Sequence, residues 1–121
     1  PGGLSALGDP GQVRQIALNL VRNALDAVED RPDGLVEIET VADGPRVILS
    51  VRDNGVGFTQ AQRRQLFDPF FTTKAPGKGT GLGLALSHAI AERHGGRISA
   101  ESPGPGLGAL FRLHLPAWEG A

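Results

Sequence analysis

Four glycines, Gly77, Gly79, Gly81 and Gly83, alternate through a stretch that ends Gly79-Thr80-Gly81-Leu82-Gly83-Leu84. They run straight into an apolar helical pattern at Leu84, Leu86, Ala89 and Ile90. Glycines feeding a helix N-terminus leave backbone N–H groups unobstructed at the positive end of the helix dipole, which suits a polyphosphate. A flexible loop with a helix cap accounts for the same residues equally well. The stretch is no Walker A loop, because no Gly-Lys-Ser/Thr follows a four-residue spacer, and it lacks the strand and spacing of a dinucleotide fingerprint. A phosphate site here must follow another design.

A second set of residues lies on an N-terminal helical pattern. Gln12, Gln15, Asn19, Asn23 and Asp26 recur three or four residues apart and so share one face. A solvated face would carry Lys, Glu and Arg, whereas Asn and Asp disfavour helices because their side chains compete for the backbone. Placing Asn19 and Asn23 one turn apart suggests that the amides face something polar; a helix buttressed by amide hydrogen bonds is the plainer alternative. An amide oxygen is a hard neutral ligand, suited to Mg²⁺ whose charge is balanced by phosphates. A third set, Asp53-Asn54-Gly55-Val56-Gly57, reads by itself as an Asn-Gly turn. In a binding site, its glycines would let a flat ligand approach while Asp53 presents a carboxylate acceptor.

The elements that must position these residues follow from periodicity and punctuation. Asp9 as N-cap and Pro10 at the first helical position open a helix expected over 9–30. Val13, Ile16, Ala17, Leu20, Ala24, Ala27 and Val28 form its buried stripe. Strands are expected over 35–41 and 46–51, joined by Ala42-Asp43-Gly44-Pro45 as an antiparallel hairpin. A short helix follows over 59–66, with Thr59 as N-cap. Three of the five phenylalanines then fall within residues 67–71, a hydrophobic plug for a long polar loop over 72–80 that carries Lys74 and Lys78 and reads as a lid. A helix from Gly81 ends at His94-Gly95-Gly96. Strands over 97–102 and 107–115 close the chain, and residues 4–7 add a short strand at its start. Helices set to one side of runs of strands make an α+β two-layer sandwich.

Composition bounds the function. A chain of 121 residues with 40% hydrophobic and 21% charged residues is a single globular domain over 1–121 rather than a disordered segment. A net charge of −1 gives no nucleic-acid surface, so a polyanion is met locally. The absence of cysteine excludes disulfides and thiolate chemistry and fits a reducing compartment. No apolar run nears the roughly 20 residues that span a bilayer. The chain contains no methionine, which suits either a piece of a longer protein or a chain whose initiator Met before Pro1 has been removed.

Four of these stretches, in order, resemble one family. Asn19-Leu-Val-Arg-Asn23-Ala24-Leu25-Asp26-Ala27 resembles the N box of sensor histidine kinases, and Asp53-Asn54-Gly55-Val56-Gly57 their G1 box. Phe67-Asp68-Pro69-Phe70-Phe71-Thr72-Thr73-Lys74 resembles the F box, and Gly77 to Leu84 the G2 box. Residues 94–98 and the closing strand to Pro116 also fit, so the resemblance runs over 9–116. The family is the catalytic and ATP-binding domain of two-component histidine kinases, within the gyrase, Hsp90, kinase and MutL superfamily.

The resemblance implies a Bergerat sandwich: a mixed sheet of about five strands backed by three helices, with ATP and Mg²⁺ under a lid. Asp53 would bind the adenine amino group, with Gly55 and Gly57 admitting the base. Asn23 would be the Mg²⁺ ligand, with Asn19 and Asp26 near the phosphates. Phe70 and Thr72 of the F box would border the nucleotide, and the backbone of Gly79, Thr80, Gly81, Leu82, Gly83 and Leu84 would cradle the triphosphate. Lys74 or Lys78 would neutralise the γ-phosphate. The ATPase branches carry a glutamate where this chain has Asn19, an amide unable to activate water, which favours a kinase. Lys is common in the family where Asp26 stands, and the Thr usual near adenine is missing from residues 106–111. None of His88, His94 or His114 lies in a phosphoacceptor context. The resemblance therefore implies phosphoryl transfer to a histidine on a separate dimerisation domain of the same kinase, with a response regulator downstream. It implies a cytoplasmic, monomeric fragment of a homodimeric parent, without nucleic-acid or direct membrane contact. An ATP-gated ATPase and a non-catalytic docking module are the alternatives.

Overall fold

The computed structural model describes residues 10–69 and 83–116. The first helix, α1 (Pro10–Ala27), buries Ile16, Leu20 and Ala24, successive positions one turn apart on the expected apolar stripe. It stops short of the expected residue 30 for a visible reason. The Ala27 carbonyl accepts the Val56 N–H at 3.1 Å, and the chain beyond tightens into three-residue turns, Val28 N–H to Leu25 and Glu29 N–H to Asp26. A contact 29 residues away in sequence thus ends the helix.

Strands β1 (Val36–Asp43) and β2 (Arg46–Asp53) form the first hairpin, each longer than the expected runs. Gly44 takes φ +59° at the first position of a two-residue loop and Pro45 fixes the second, a pattern that matches strand twist. Helix α2 (Gln60–Arg63) is short, and its start is a full capping box. The Thr59 hydroxyl accepts the Gln62 N–H at 3.0 Å, while the Gln62 side chain accepts the Thr59 N–H at 2.8 Å.

Helix α3 (Gly83–Arg93) ends in a Schellman motif. Gly95, at φ +78°, donates to Glu92, and Gly96 donates to Ala91 at 2.9 Å. Strands β3 (Arg97–Glu101) and β4 (Ala109–Pro116) form the second hairpin.

The sheet order is β1-β2-β4-β3, and every pairing among the described residues is antiparallel. The α+β class holds, but the expected mixed sheet of about five strands is four antiparallel strands among the described residues; the expected strand over 4–7 lies outside them. Strand β4 alternates strictly in its latter half, with Phe111, Leu113 and Leu115 turned toward the helices. Opposite them in register stand Val51, Leu49 and Val47 on β2 and, on the other side, Ala100 and Ile98 on β3. Helices α1 and α3 pack on this face and on each other. The core joins Ile16, Leu20, Ile90 and Ala91 to the sheet, with Phe58 edge-on to Phe111 at 6.1 Å. Asp53 falls on the same inward face as Val51, two residues on, which carries its carboxyl into the helix layer. No helix among the described residues is long and apolar enough to cross a membrane.

Candidate functional site

At the end of β2 a carboxylate is buried with no salt bridge among the described residues. Asp53 is 6% exposed, and its Oδ1 accepts the Gly55 N–H at 2.8 Å. Ala109, its cross-strand neighbour on β4, brings a backbone N–H near enough to the carboxyl to pull its pKa down. Burial raises the Asp53 pKa above the usual carboxylate value, against the opposing pull of these two N–H donors and the more distant field of Arg31. A carboxyl whose pKa rises on folding favours the fold when protonated. Its contribution is complete below the unfolded carboxylate range and is lost as pH rises through the raised value. Asp53→Asn is therefore expected to unfold at a temperature no lower than wild type at neutral pH, with its advantage shrinking on acidification. Paired thermal melts at pH 7 and pH 3.5 check this, and a large neutral-pH loss would contradict it.

The Asp53–Phe58 segment is not the Asn-Gly reverse turn its sequence suggests. Asn54 faces away and fastens the turn after α1: its Oδ1 accepts the Leu35 N–H at 2.8 Å, and its Nδ2 donates to the Asp33 carbonyl at 2.9 Å. The glycines have a requirement inside the protein itself. A Cβ on Gly55 would lie 2.2 Å from the Ala27 carbonyl oxygen, so glycine here lets the loop meet the end of α1. Gly57 takes φ +61°, and a Cβ there would lie 2.3 Å from the Gly104 carbonyl oxygen. Close approach to the protein's own backbone thus already demands both glycines.

Farther back along α1, Asn19, Asn23 and Asp26 are all half-buried on one face. Asn19 Nδ2 donates to the Ser87 hydroxyl at 2.9 Å, joining α1 to α3, and Ser87 is 3% exposed. A Cβ on Gly83 would come within 2.9 Å of Asn19 Oδ1, so the absence of a side chain at the start of α3 is what lets the amide sit there. Leu84 packs against the core, and Phe67 stacks on His88 at 4.9 Å. The amide face therefore buttresses the helix pair at Asn19. Asn19→Ala is expected to cost about 1 kcal/mol by orphaning the Ser87 hydroxyl, with Asn19→Ala/Ser87→Ala recovering part of it in a denaturant-melt cycle.

The structure thus brings α1 against the start of α3 at Asn19, Gly83 and Ser87, and against the Asp53 loop at Ala27 and Gly55. Phe70, Thr72, Lys74, Lys78, Gly79, Thr80, Gly81 and Leu82 lie outside the described residues. Sequence reasoning missed Ser87 and the loop between β3 and β4. The latter had a signal in its alternating glycines, and Gly104, Gly106 and Gly108 all take positive φ.

Comparison with known proteins places this arrangement. Residues 8–119 match the model of the family described as histidine kinase-, DNA gyrase B-, and HSP90-like ATPase. The chain is 47% identical over 108 residues to the sensor histidine kinase ZraS of Klebsiella oxytoca, covering 89% of this chain and 22% of that protein. It thus spans about a fifth of the length of that relative. Among solved structures, a mycobacterial sensor histidine kinase, MprB, superposes with a TM-score of 0.82 at 26% identity, covering 94% of this chain and 78% of that one. Full-length ShkA in complex with AMPPNP superposes with a TM-score of 0.81 at 35% identity, covering 96% and 24%.

Proposed function

Because the chain belongs to the histidine kinase-, DNA gyrase B-, and HSP90-like ATPase family and resembles its sensor kinases, we propose that it is a kinase catalytic domain. In this reading it binds Mg²⁺-ATP and donates the γ-phosphoryl group to a histidine on a separate domain. The observation that carries the reading is the buried Asp53 carboxyl, held by the Gly55 N–H beside the end of α1. A buried carboxylate aimed into a layer that also bears two amides is costly unless a ligand uses it. It accepts a hydrogen bond from the exocyclic amine of adenine.

The remaining roles follow along α1 and into α3. Asn23 offers an amide oxygen to Mg²⁺, which neutralises phosphate charge when bound. In this reading the N–H groups of residues 79–84 would hold the phosphates, and Lys74 or Lys78 would meet the γ-phosphate. Asn19 places an amide where the ATPase branches carry a glutamate, and an amide cannot take a proton from water. That supports transfer over hydrolysis. In the transfer, the bond from γ-phosphorus to the bridging oxygen breaks, a bond from phosphorus to an imidazole nitrogen forms, and ADP leaves with the bridging oxygen.

The partner reading is that the acceptor histidine belongs to the dimerisation domain of the same kinase, with a response regulator downstream. Incubation with radiolabelled ATP is expected to leave this chain unlabelled and to label an added histidine-bearing helical-hairpin domain from the same parent. Label on this chain, or steady phosphate release without transfer, would overturn the proposal.

A further inference from the structure

The loop between β3 and β4, residues 102–108, lies outside all four motif stretches, yet it backs the Asp53–Phe58 segment along its length. Its hub is the half-buried Ser102 hydroxyl. That oxygen accepts the Phe58 N–H at 3.2 Å and the Gly104 N–H at 3.1 Å, and it donates to the Gly108 carbonyl at 2.6 Å. Two main-chain bonds run beside it, Gly106 N–H to Val56 at 2.7 Å and Gly108 N–H to Gly55 at 3.0 Å. Arg31, just past α1, donates from Nη2 to the Gly106 carbonyl at 3.0 Å, tying the same loop to the helix end. The fit is close: a Cβ on Gly57 would lie 2.8 Å from the Ser102 oxygen, and one on Gly108 would lie 2.2 Å from the Asp53 carbonyl oxygen.

Beyond Gly108 the chain enters β4, where the Ala109 N–H comes near the Asp53 carboxyl. The Gly55 N–H holds the carboxyl from its own loop, the Gly55 carbonyl is itself bonded by Gly108 of the backing loop, and the Ser102 hydroxyl locks these two stretches together. A single acceptor recognises a base amine through its direction as well as its charge, so what fixes that direction sets the affinity. We infer that Ser102 is a positioning residue for nucleobase recognition, acting through Asp53 without touching the ligand.

The inference rests on the nucleotide reading above, and the experiment separates the two. Binding of ATP and of inorganic tripolyphosphate is measured for wild type, Asp53→Asn, Ser102→Ala and Ser102→Thr. Ser102→Ala is expected to weaken ATP about tenfold while leaving tripolyphosphate unchanged, and Ser102→Thr, which keeps the hydroxyl, restores ATP binding. A purely structural serine would lower both ligands together with the unfolding temperature, which overturns the inference. If wild type binds ATP, Asp53→Asn loses it and Ser102→Ala keeps it, the role of Ser102 falls alone. If wild type fails to bind ATP, or Asp53→Asn binds as wild type does, the nucleotide reading falls and this inference falls with it.

Discussion

Asp53→Asn is expected to weaken ATP binding about 100-fold, the largest functional effect of any single substitution in the described part of the site. The carboxyl already accepts the Gly55 N–H, and it still has lone pairs to offer an adenine amine. An asparagine keeps one acceptor oxygen and replaces the other with an NH₂ donor. Either a backbone N–H loses its acceptor or the NH₂ confronts the base amine. A hydrogen bond to a charged group contributes about 1.5–3 kcal/mol, which converts to roughly 10- to 100-fold. The upper end is expected because the group is buried. Calorimetric titration of both proteins checks it. Since the same change removes a buried charge, the loss comes without a loss of folding, and an Asp53→Asn protein with unchanged ATP affinity would place the base elsewhere.

Leu20→Ala is expected to have the largest effect on stability, about 3 kcal/mol. Leu20 is 0% exposed, one turn from Ile16 and one from Ala24, and it seats α1 on the sheet. A domain of this size has roughly 5–15 kcal/mol in total, so the unfolding midpoint should fall by on the order of 10 °C. Leu18, two positions earlier, is 58% exposed, and Leu18→Ala should stay within about 0.5 kcal/mol. Thermal and urea melts of the two variants side by side test the assignment. Equal losses would mean that the buried face of α1 has been misplaced. ATP affinity should also drop in Leu20→Ala, because the same helix carries Asn19 and Asn23.

The parts legible in the sequence are those set by local chemistry. The α1 stripe is written in the spacing of Ile16, Leu20 and Ala24, the α2 start in Thr59, and the α3 stop in His94-Gly95-Gly96. The first hairpin is written in the β-branched runs around Gly44-Pro45, and the second in the Gly/Pro turn signals of the Pro103–Gly108 stretch. At Asp53-Asn54-Gly55-Val56-Gly57 the local signal is an Asn-Gly turn, and only the reading as a binding site singles out the Asp53 carboxylate. What stayed hidden depends on contacts between distant segments. The early end of α1 comes from the Ala27 carbonyl bonding Val56, and the need for glycine at 55 and 57 comes from Ala27 and Gly104. The position of β4 between β2 and β3 is a matter of pairing that no local pattern specifies. Ser87 and Ser102 each look like ordinary polar residues until Asn19 and Phe58 are brought to them.

The central claim is that this fold holds Mg²⁺-ATP between α1, the Asp53 loop and the start of α3. The most direct measurement is a calorimetric titration of the wild-type chain with ATP, with Mg²⁺ present and then chelated. The account predicts saturable binding of one nucleotide per chain that weakens when Mg²⁺ is removed. A folded chain, verified by circular dichroism in the same buffer, that gives no saturable binding at millimolar ATP would contradict it.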